Sequence, residues 1–581
     1  MFVFLLDCYT EDGNRAFLQK EVSVAFGSVL SIYEDTSMDR KKRGAFFTPP
    51  ELASFISRWA VRTTSDFILE PACGEAEFLL AASRILLEKG TAVEDVKNQV
   101  KGFELHESSA FEATARLSRS GLSCSIEVGD FLSKEPDPVY DTVVGNPPYV
   151  RFQVISDVQR ACVRKISEES GVNLSALSSS WAPFVVHSAA FLHDGGRMGL
   201  VLPAELLTVN YAAAVRSFLM ANFSSIQLVT FDKRVFPEVQ EDVVLLLAEN
   251  YRMGSTDRII WRQSKDLEDL DDAVLKDYIP DSPGSRWSSI FASREAMDSM
   301  QSLTDDGRFL TLESWGSLSL GTVTGNNKYF SLTEATIAEY SLSERDYVAM
   351  CPPGSRHLRR LSFDSADMGE MQKSGKATKL FYPNQDQLSP AAELYIRKGE
   401  RDGVPDAYKC RKRNPWWRVP LTKVPDMFIT YMNGEAPSLC TNDAGVHNLN
   451  SCHGLYLDND YVRIGRECLP LACLNSATLF SAEIVGRAYG GGMLKLEPRE
   501  AAELLVPAPK LVEQASKRLS MVKPCARRLL SEGKLDEVVA LVDSILLEET
   551  AFLGASEIAH LSAGYELIRL RRKTRSKSRT R

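Results

Sequence analysis

Asp141-Thr-Val-Val-Gly-Asn146-Pro147-Pro148-Tyr149 is the stretch from which the rest of this chain is read. Asp141 to Gly145 has the β-branched, uncharged centre of a short buried strand. Asn146 then opens a turn that cannot extend a sheet ladder, because Pro147 and Pro148 have no N–H to donate. Each proline also biases the residue before it towards extended backbone, so Asn146 and Pro147 are both held open. An amide, a rigid carbonyl and an aromatic ring are thereby presented together at the C-terminal edge of a strand, where open α/β sheets bind ligands. Two acceptors so placed suit an exocyclic amine. Aimed at its two N–H bonds, they would localise a lone pair otherwise delocalised into the ring. A proline-stiffened surface turn is the structural alternative, but by composition the tetrapeptide arises by chance in only about one chain in several hundred.

Upstream, one helix-start signal and three strand signals precede this turn. Lys41-Lys-Arg-Gly-Ala-Phe46-Phe47-Thr48-Pro49-Pro50-Glu51 leads into an apolar stripe of Leu52, Phe55, Ile56 and Trp59. Thr48 and Glu51 have the spacing of a capping box, and the prolines suit a first helical turn. Phe67-Ile-Leu-Glu70-Pro71-Ala72-Cys73-Gly74-Glu75-Ala76-Glu77 reads as a strand, a tight turn and a helix start. The small residues Ala72, Gly74 and Ala76 let the backbone approach a ligand, and the helix N-terminus offers free N–H donors to a carboxylate. G-x-G-x-x-G is absent, which removes the dinucleotide fingerprint. Val100 to Leu105 is a further strand, ending in Glu104, whose carboxylate can accept two ribose hydroxyls. In Ser125 to Leu132 the pattern repeats, with Asp130 at the strand end and Phe131 after it.

Downstream, Trp181 opens an apolar helix to Leu192, His193-Asp-Gly-Gly196 stops it, and Arg197 to Leu202 is a strand. Leu228–Phe231 and Val243–Ala248 are the closing strands, the second expected to be antiparallel. Val235-Phe236-Pro237 lies between them.

Asn-Pro-Pro-Tyr resembles the catalytic motif of S-adenosylmethionine-dependent amino-methyltransferases. The order of the remaining signals resembles the gamma class of DNA adenine-N6 methyltransferases found in restriction–modification systems. The resemblance implies a doubly wound, mostly parallel α/β sheet followed by a mixed α+β target-recognition domain, with S-adenosyl-L-methionine as cofactor. It places Phe47 and Thr48 at the methionine end of that cofactor, Glu70 near its amino group, and Ala72, Cys73 and Gly74 in its loop. Glu104, Asp130, Phe131 and Asn146 complete the cofactor set. Asn146, Pro147, Pro148 and Tyr149 would act on a flipped base, with Phe236 packing on its opposite face. Ala76 departs from the family, which often has a second glycine there, and Glu75 and Glu77 make the loop unusually acidic. The same tetrapeptide occurs in protein-glutamine and some RNA methyltransferases, and cytosine-N4 methylation is a close variant. A non-catalytic DNA-binding relic is a further alternative.

With 581 residues the chain exceeds one core, and length suggests about three or four domains at most. The expected division is a helical lead-in over 1–40, a catalytic domain over 41–250 and a linker over 251–305. A recognition domain over 306–510 and C-terminal helices with a basic tail over 511–581 complete it. Net charge is −9, yet Arg401 to Pro420 holds six Arg/Lys against two acids, and Arg569 to Arg581 holds eight and none. Such local basic faces suit DNA phosphates in an otherwise acidic protein. Leu318 to Phe330, Tyr382-Pro-Asn384, Trp416-Trp417 and Val485 to Lys495 supply the loops expected to read DNA, and the tail beyond Leu570 is expected to be unstructured. The eleven cysteines form no CxxC pair, and Cys440, His447, Cys452 and His453 fit no standard finger, so no metal is expected. No run approaches the ~18 apolar residues of a membrane span. A cytoplasmic protein is expected, with double-stranded DNA as partner and any restriction endonuclease on a separate chain.

Overall fold

The computed structural model describes residues 48–150, 156–174, 179–232, 235, 243–270, 275–384, 386–489 and 491–577. The lead-in over 1–40, Phe47 and Phe236 lie outside the described residues. Two compact units emerge. The first takes the chain to Pro203 with Tyr211–Thr230 and Val243–Ser285, and the second includes Ala204–Asn210 and the chain from Arg286.

In the first unit, β1 (Ile68–Glu70), β2 (Val100–Glu104), β3 (Ser125–Val128), β4 (Tyr140–Gly145), β5 (Leu192–Pro203), β6 (Phe223–Phe231), β7 (Val243–Tyr251), β8 (Ile259–Ser264) and β9 (Leu275–Tyr278) form one sheet. Their spatial order is β3-β2-β1-β4-β5-β7-β6-β8-β9. The first five strands pair in parallel, whereas β7 runs antiparallel to both β5 and β6, as expected. Helices cover a sheet of this kind on both faces, so its central strands read as apolar runs without alternation: Ile68, Leu69, Val143 and Val144 are all buried. The strand order reverses between β1 and β4, and the crevice beyond their C-terminal ends is where such a sheet takes its ligand.

Helix α1 (Pro50–Ala60) is amphipathic and buries Leu52, Ala53 and Ile56 against β4, β5 and α2 (Glu77–Lys89). Full burial of Leu52 and Ile56 contributes about 1.5–3 kcal/mol each. Gly199 in β5 makes this contact possible, since a Cβ there would lie 2.6 Å from Ile56 Cγ2. Gly102 in β2 does the same for the loop after β1, where a Cβ would meet Cys73 at 3.1 Å.

Three expectations are corrected. Pro49, not Thr48, is the N-cap of α1, and no side chain caps it, because the prolines already remove donors that a cap would satisfy. The helix after Trp181 ends at Ala190, and β5 starts at Leu192, with an irregularity in its pairing to β4 between Tyr140 and Thr142. The segment 251–305 is not a linker: β8 and β9 extend the sheet, and Arg294–Asp305 is a helix of the second unit. Its polar composition reflects a solvated sheet edge.

The second unit is mixed α+β. A five-stranded sheet orders Gly316–Leu320, Cys452–Leu457, Met427–Thr430, Leu439–Asn442 and Ser362–Phe363. One core joins Met300 and Leu303, Trp315, Leu469, Leu511 and Leu561. Boundaries at 305 and 510 therefore fall inside a single packed body, because the apolar faces of the terminal helices have only this core to bury against. Nor is the tail beyond Leu570 unstructured as far as Lys577: Ala555–Lys577 is one helix. Arg572 lies buried against Glu483 at 2.5 Å, and Arg569 and Lys573 pair with Glu435 at 2.8 and 2.5 Å. These cations hold the helix down. Cys440 and Cys452 pack in an apolar cluster with Phe363 and Phe428, while His453 Nε2 lies 2.7 Å from the Leu496 carbonyl.

Candidate active site

Asn146 leaves the end of β4 beside the turn that follows β1; a Cβ on Gly145 would be 3.4 Å from Pro71 and 3.6 Å from the Glu70 side chain. The Asn146 amide is held at both ends. Its Nδ2 donates to Thr48 Oγ1 at 3.2 Å, and its Oδ1 accepts from the Tyr149 hydroxyl at 2.8 Å. Val201 O in β5 lies 3.1 Å from the same hydroxyl, so Tyr149 is rooted in the sheet. These contacts orient Asn146 Oδ1 and leave one of its two lone pairs for a ligand. Thr48, released from capping, is brought to Asn146 by the packing of α1 on β5.

Ser180 pins the rest of the turn. Its hydroxyl donates to the Pro148 carbonyl and accepts from Val150 N–H at 2.8 Å, while Ser180 N–H donates to Val150 O at 2.8 Å. Sequence reading passed over this serine because a hydroxyl in a polar loop has no distinguishing pattern. Pro147 is buried and Asn146, Pro148 and Tyr149 are half-buried.

The loops that follow β1 and β2 are joined by their acids. Glu70 is 2% exposed, and its Oε2 accepts the N–H of Leu79 at 3.1 Å, capping α2 from outside the helix. Burial holds its carboxyl well above the usual carboxylate range, and Glu104 and Glu77 add to the rise. Glu104 accepts Gly74 N–H at 2.9 Å and His106 N–H at 3.0 Å, spanning the loops after β1 and β2. Burial also pushes the Cys73 thiol up, with Glu70 and Glu104 contributing. Ala76 takes the left-handed conformation (φ 67°) in which glycine is the easier residue. The acidity of the loop has a local answer: Arg116, from the helix Glu107–Arg119, donates to the Glu75 carbonyl at 2.9 Å and pairs with Glu77.

Asp130 and Phe131 stand in different surroundings from those their sequence context suggests. Asp130 Oδ1 accepts Leu132 N–H at 3.1 Å at the start of a 3-10 turn, and its second oxygen remains for a ligand. Phe131 is 2% exposed and packed among Phe103, Phe184, His187 and Phe191, with ring centroids 4.9–5.5 Å away. It is a core residue with no open face to lay over a ring, because the apolar pocket under β3 needs filling.

The residues fit S-adenosylmethionine. A Cβ on Gly74 would meet nothing within 4 Å, so the loop has open space over its backbone. Beside that loop lie the N-terminus of α2, Glu70 and Glu104, which suit a ligand with a carboxylate, an ammonium and a ribose.

The chain is similar to known proteins along most of its length. The N-6 DNA Methylase family profile matches residues 25–276, and that of the C-terminal domain of Type II methyltransferase M.Eco57I matches residues 284–547. Type II methyltransferase M.AccI of Acinetobacter calcoaceticus is 23% identical over 531 residues, covering 88% of this chain and 94% of that protein. Type II methyltransferase M.XamI of Xanthomonas campestris pv. amaranthicola is 24% identical, covering 80% and 85%. The solved structure of Type IIL restriction–modification enzyme MmeI in complex with DNA shares the fold at 13% identity and a TM-score of 0.56, over 96% of this chain and 78% of that one. With an Asn-Pro-Pro-Tyr turn at the switch point of its sheet, two family profiles side by side and relatives along nearly its whole length, the chain is a restriction–modification DNA adenine methyltransferase.

Proposed function

We propose that the chain methylates the N6 amino group of one adenine within a specific sequence of double-stranded DNA, after rotating that base out of the helix. S-Adenosyl-L-methionine is the donor, the cytoplasm the site of action, and any cognate endonuclease a separate chain. The observation that carries the reading is the Thr48–Asn146–Tyr149 hydrogen-bond chain, which fixes the orientation of the Asn146 amide at the end of β4.

When bound, S-adenosylmethionine supplies a methyl group on a sulfonium that departs as a neutral thioether. Asn146 Oδ1 and the Pro147 carbonyl accept the two N–H bonds of the target amine, so its lone pair points away from the ring and towards the methyl carbon. As the N–C bond forms, the amine nitrogen becomes cationic, and these same dipoles stabilise the developing charge. The excess proton then leaves to water. The ring of Tyr149 stacks on the base, with Phe236 assigned from the motif order to its other face. Aromatic stacking of about 1–3 kcal/mol per ring roughly offsets the cost of unstacking.

Incubation with labelled cofactor and duplex DNA, RNA or protein tests this, followed by mass spectrometry of the digested nucleosides. The expected product is 6-methyl-deoxyadenosine from duplex DNA. Methyl transfer only to RNA or glutamine, or only to cytosine N4, would overturn it. Asn146→Ala should lower turnover by about a hundredfold or more while leaving duplex affinity in place.

A further inference from the structure

The second unit has a cleft of about 380 Å³ that no part of the catalytic reading uses. Strands Tyr347–Ala349 and Lys379–Phe381 are antiparallel neighbours, with Tyr347 opposite Phe381, so the loops at that end emerge side by side. Asp346, 1% exposed, locks them together. Its carboxylate accepts the N–H and hydroxyl of Ser343, both at 2.8 Å, and the Ser389 hydroxyl at 2.7 Å, while its carbonyl accepts Tyr382 N–H at 2.8 Å. The cleft is thus shaped before anything binds. Trp417, part of the neighbouring apolar core, lines it, and Arg345, Asn384 and Arg418 stand exposed along it with Glu344 and Asp386. The amide of Asn384 is fixed by accepting Asp386 N–H at 3.0 Å. Arg418 ends the run that includes Lys409, Arg411 and Lys412, and among the described residues none of the four has an acid within ion-pair distance.

The chemistry of the cleft discriminates between ligands. A phosphate site would present cations alone, and two carboxylates would repel a phosphate. A protein-docking groove would be chiefly apolar. Guanidinium, amide and carboxylate groups side by side along an aromatic wall instead match base edges, which present both acceptors and donors in the major groove. The adjoining cations with no acid partner match the DNA backbone. We propose that this cleft reads base edges of the target sequence, with Arg345, Arg418 and Asn384 addressing purines and Lys409, Arg411 and Lys412 holding neighbouring phosphates. The proposal rests on the reading of the chain as a site-specific DNA methyltransferase.

Its test is long-read mapping of methylated adenines in DNA from cells expressing the full chain, wild type or carrying Arg345→Ala, Asn384→Ala, Arg418→Ala or Lys412→Ala. The cleft side chains are exposed, so the variants should fold as the wild type does. Each cleft variant is expected to lose discrimination at one or two positions of the methylated sequence by about ten- to a hundredfold, with the other positions kept. Lys412→Ala should keep the sequence, methylate all sites less, and reduce the salt slope of duplex binding by about one. Unchanged selectivity in all three cleft variants would overturn the proposal. Should a variant abolish methylation, duplex binding decides: equal loss on recognised and scrambled sequences counts against base reading. If the wild-type chain makes no methyladenine the functional reading falls, and selective duplex binding by the same variants decides the cleft by itself.

Discussion

Thr48 shows how a residue can be mistaken for local architecture. Its spacing to Glu51 is that of a capping box, yet its hydroxyl faces Asn146 Nδ2 instead. Replacing it by valine removes one hydrogen bond worth about 1 kcal/mol, so turnover of Thr48→Val should fall about fivefold. Because the hydroxyl caps nothing, any loss of melting temperature should come together with that loss of turnover; a lower melting temperature with normal turnover would restore the capping role. Glu70 carries a second prediction at this scale. Its carboxyl is held above the usual range in the folded protein, so its contribution to stability is full at low pH and is lost as pH rises through the elevated value. Glu70→Gln keeps the acceptor for Leu79 N–H and removes the charge. The cofactor-free variant should therefore melt higher than wild type at pH 8 and nearly alike at pH 4, while binding S-adenosylmethionine more weakly by calorimetry. Equal pH profiles would show that Glu70 is ionised without penalty.

At the scale of elements, the candidate site depends on α1 sitting close to β5. That approach is set by Gly199, whose missing side chain leaves room for Ile56 and Trp59. Gly199→Ala forces a methyl into a contact of 2.6 Å. Overpacking of this kind destabilises by about 1–3 kcal/mol. It should also move Thr48 from Asn146, so urea unfolding should show the lower midpoint and kinetics a reduced turnover in the same variant. The two losses together would mark α1 as the support of the site; loss of stability alone would not.

For the whole molecule, the basic C-terminal helix belongs to the core of the second unit. Arg572 and Glu483 form a buried pair, where burial raises the Glu483 carboxyl and Arg572 opposes the rise. Breaking such a pair on one side typically costs about 3–5 kcal/mol, whereas replacing both partners by apolar groups is often neutral. Arg572→Met should accordingly lower the chemical denaturation midpoint of the second unit, and Arg572→Met with Glu483→Leu should recover most of it. If the single variant instead unfolded normally and bound DNA weakly, the side chain would be a phosphate contact after all. Among the described residues, no single helix is long and apolar enough to cross a membrane.

The sequence by itself determined the Asn146–Tyr149 turn at the end of a strand, the sheet class and the order of the strands and turns before it. Each of these is written in short-range chemistry: prolines that end a strand, small residues that bend a turn, acids at strand ends. It also indicated the antiparallel strand near the end of the sheet. Only the tertiary structure decided what meets across the chain: Thr48 with Asn146, Ser180 with Pro148, Arg116 with the acidic loop, and Arg572 with Glu483. It also decided that Phe131 fills a core and that 251–305 includes two sheet strands. The reason is physical: a hydrogen bond or ion pair between residues far apart in the chain leaves no periodicity at either end, and composition alone cannot tell a solvated sheet edge from a linker.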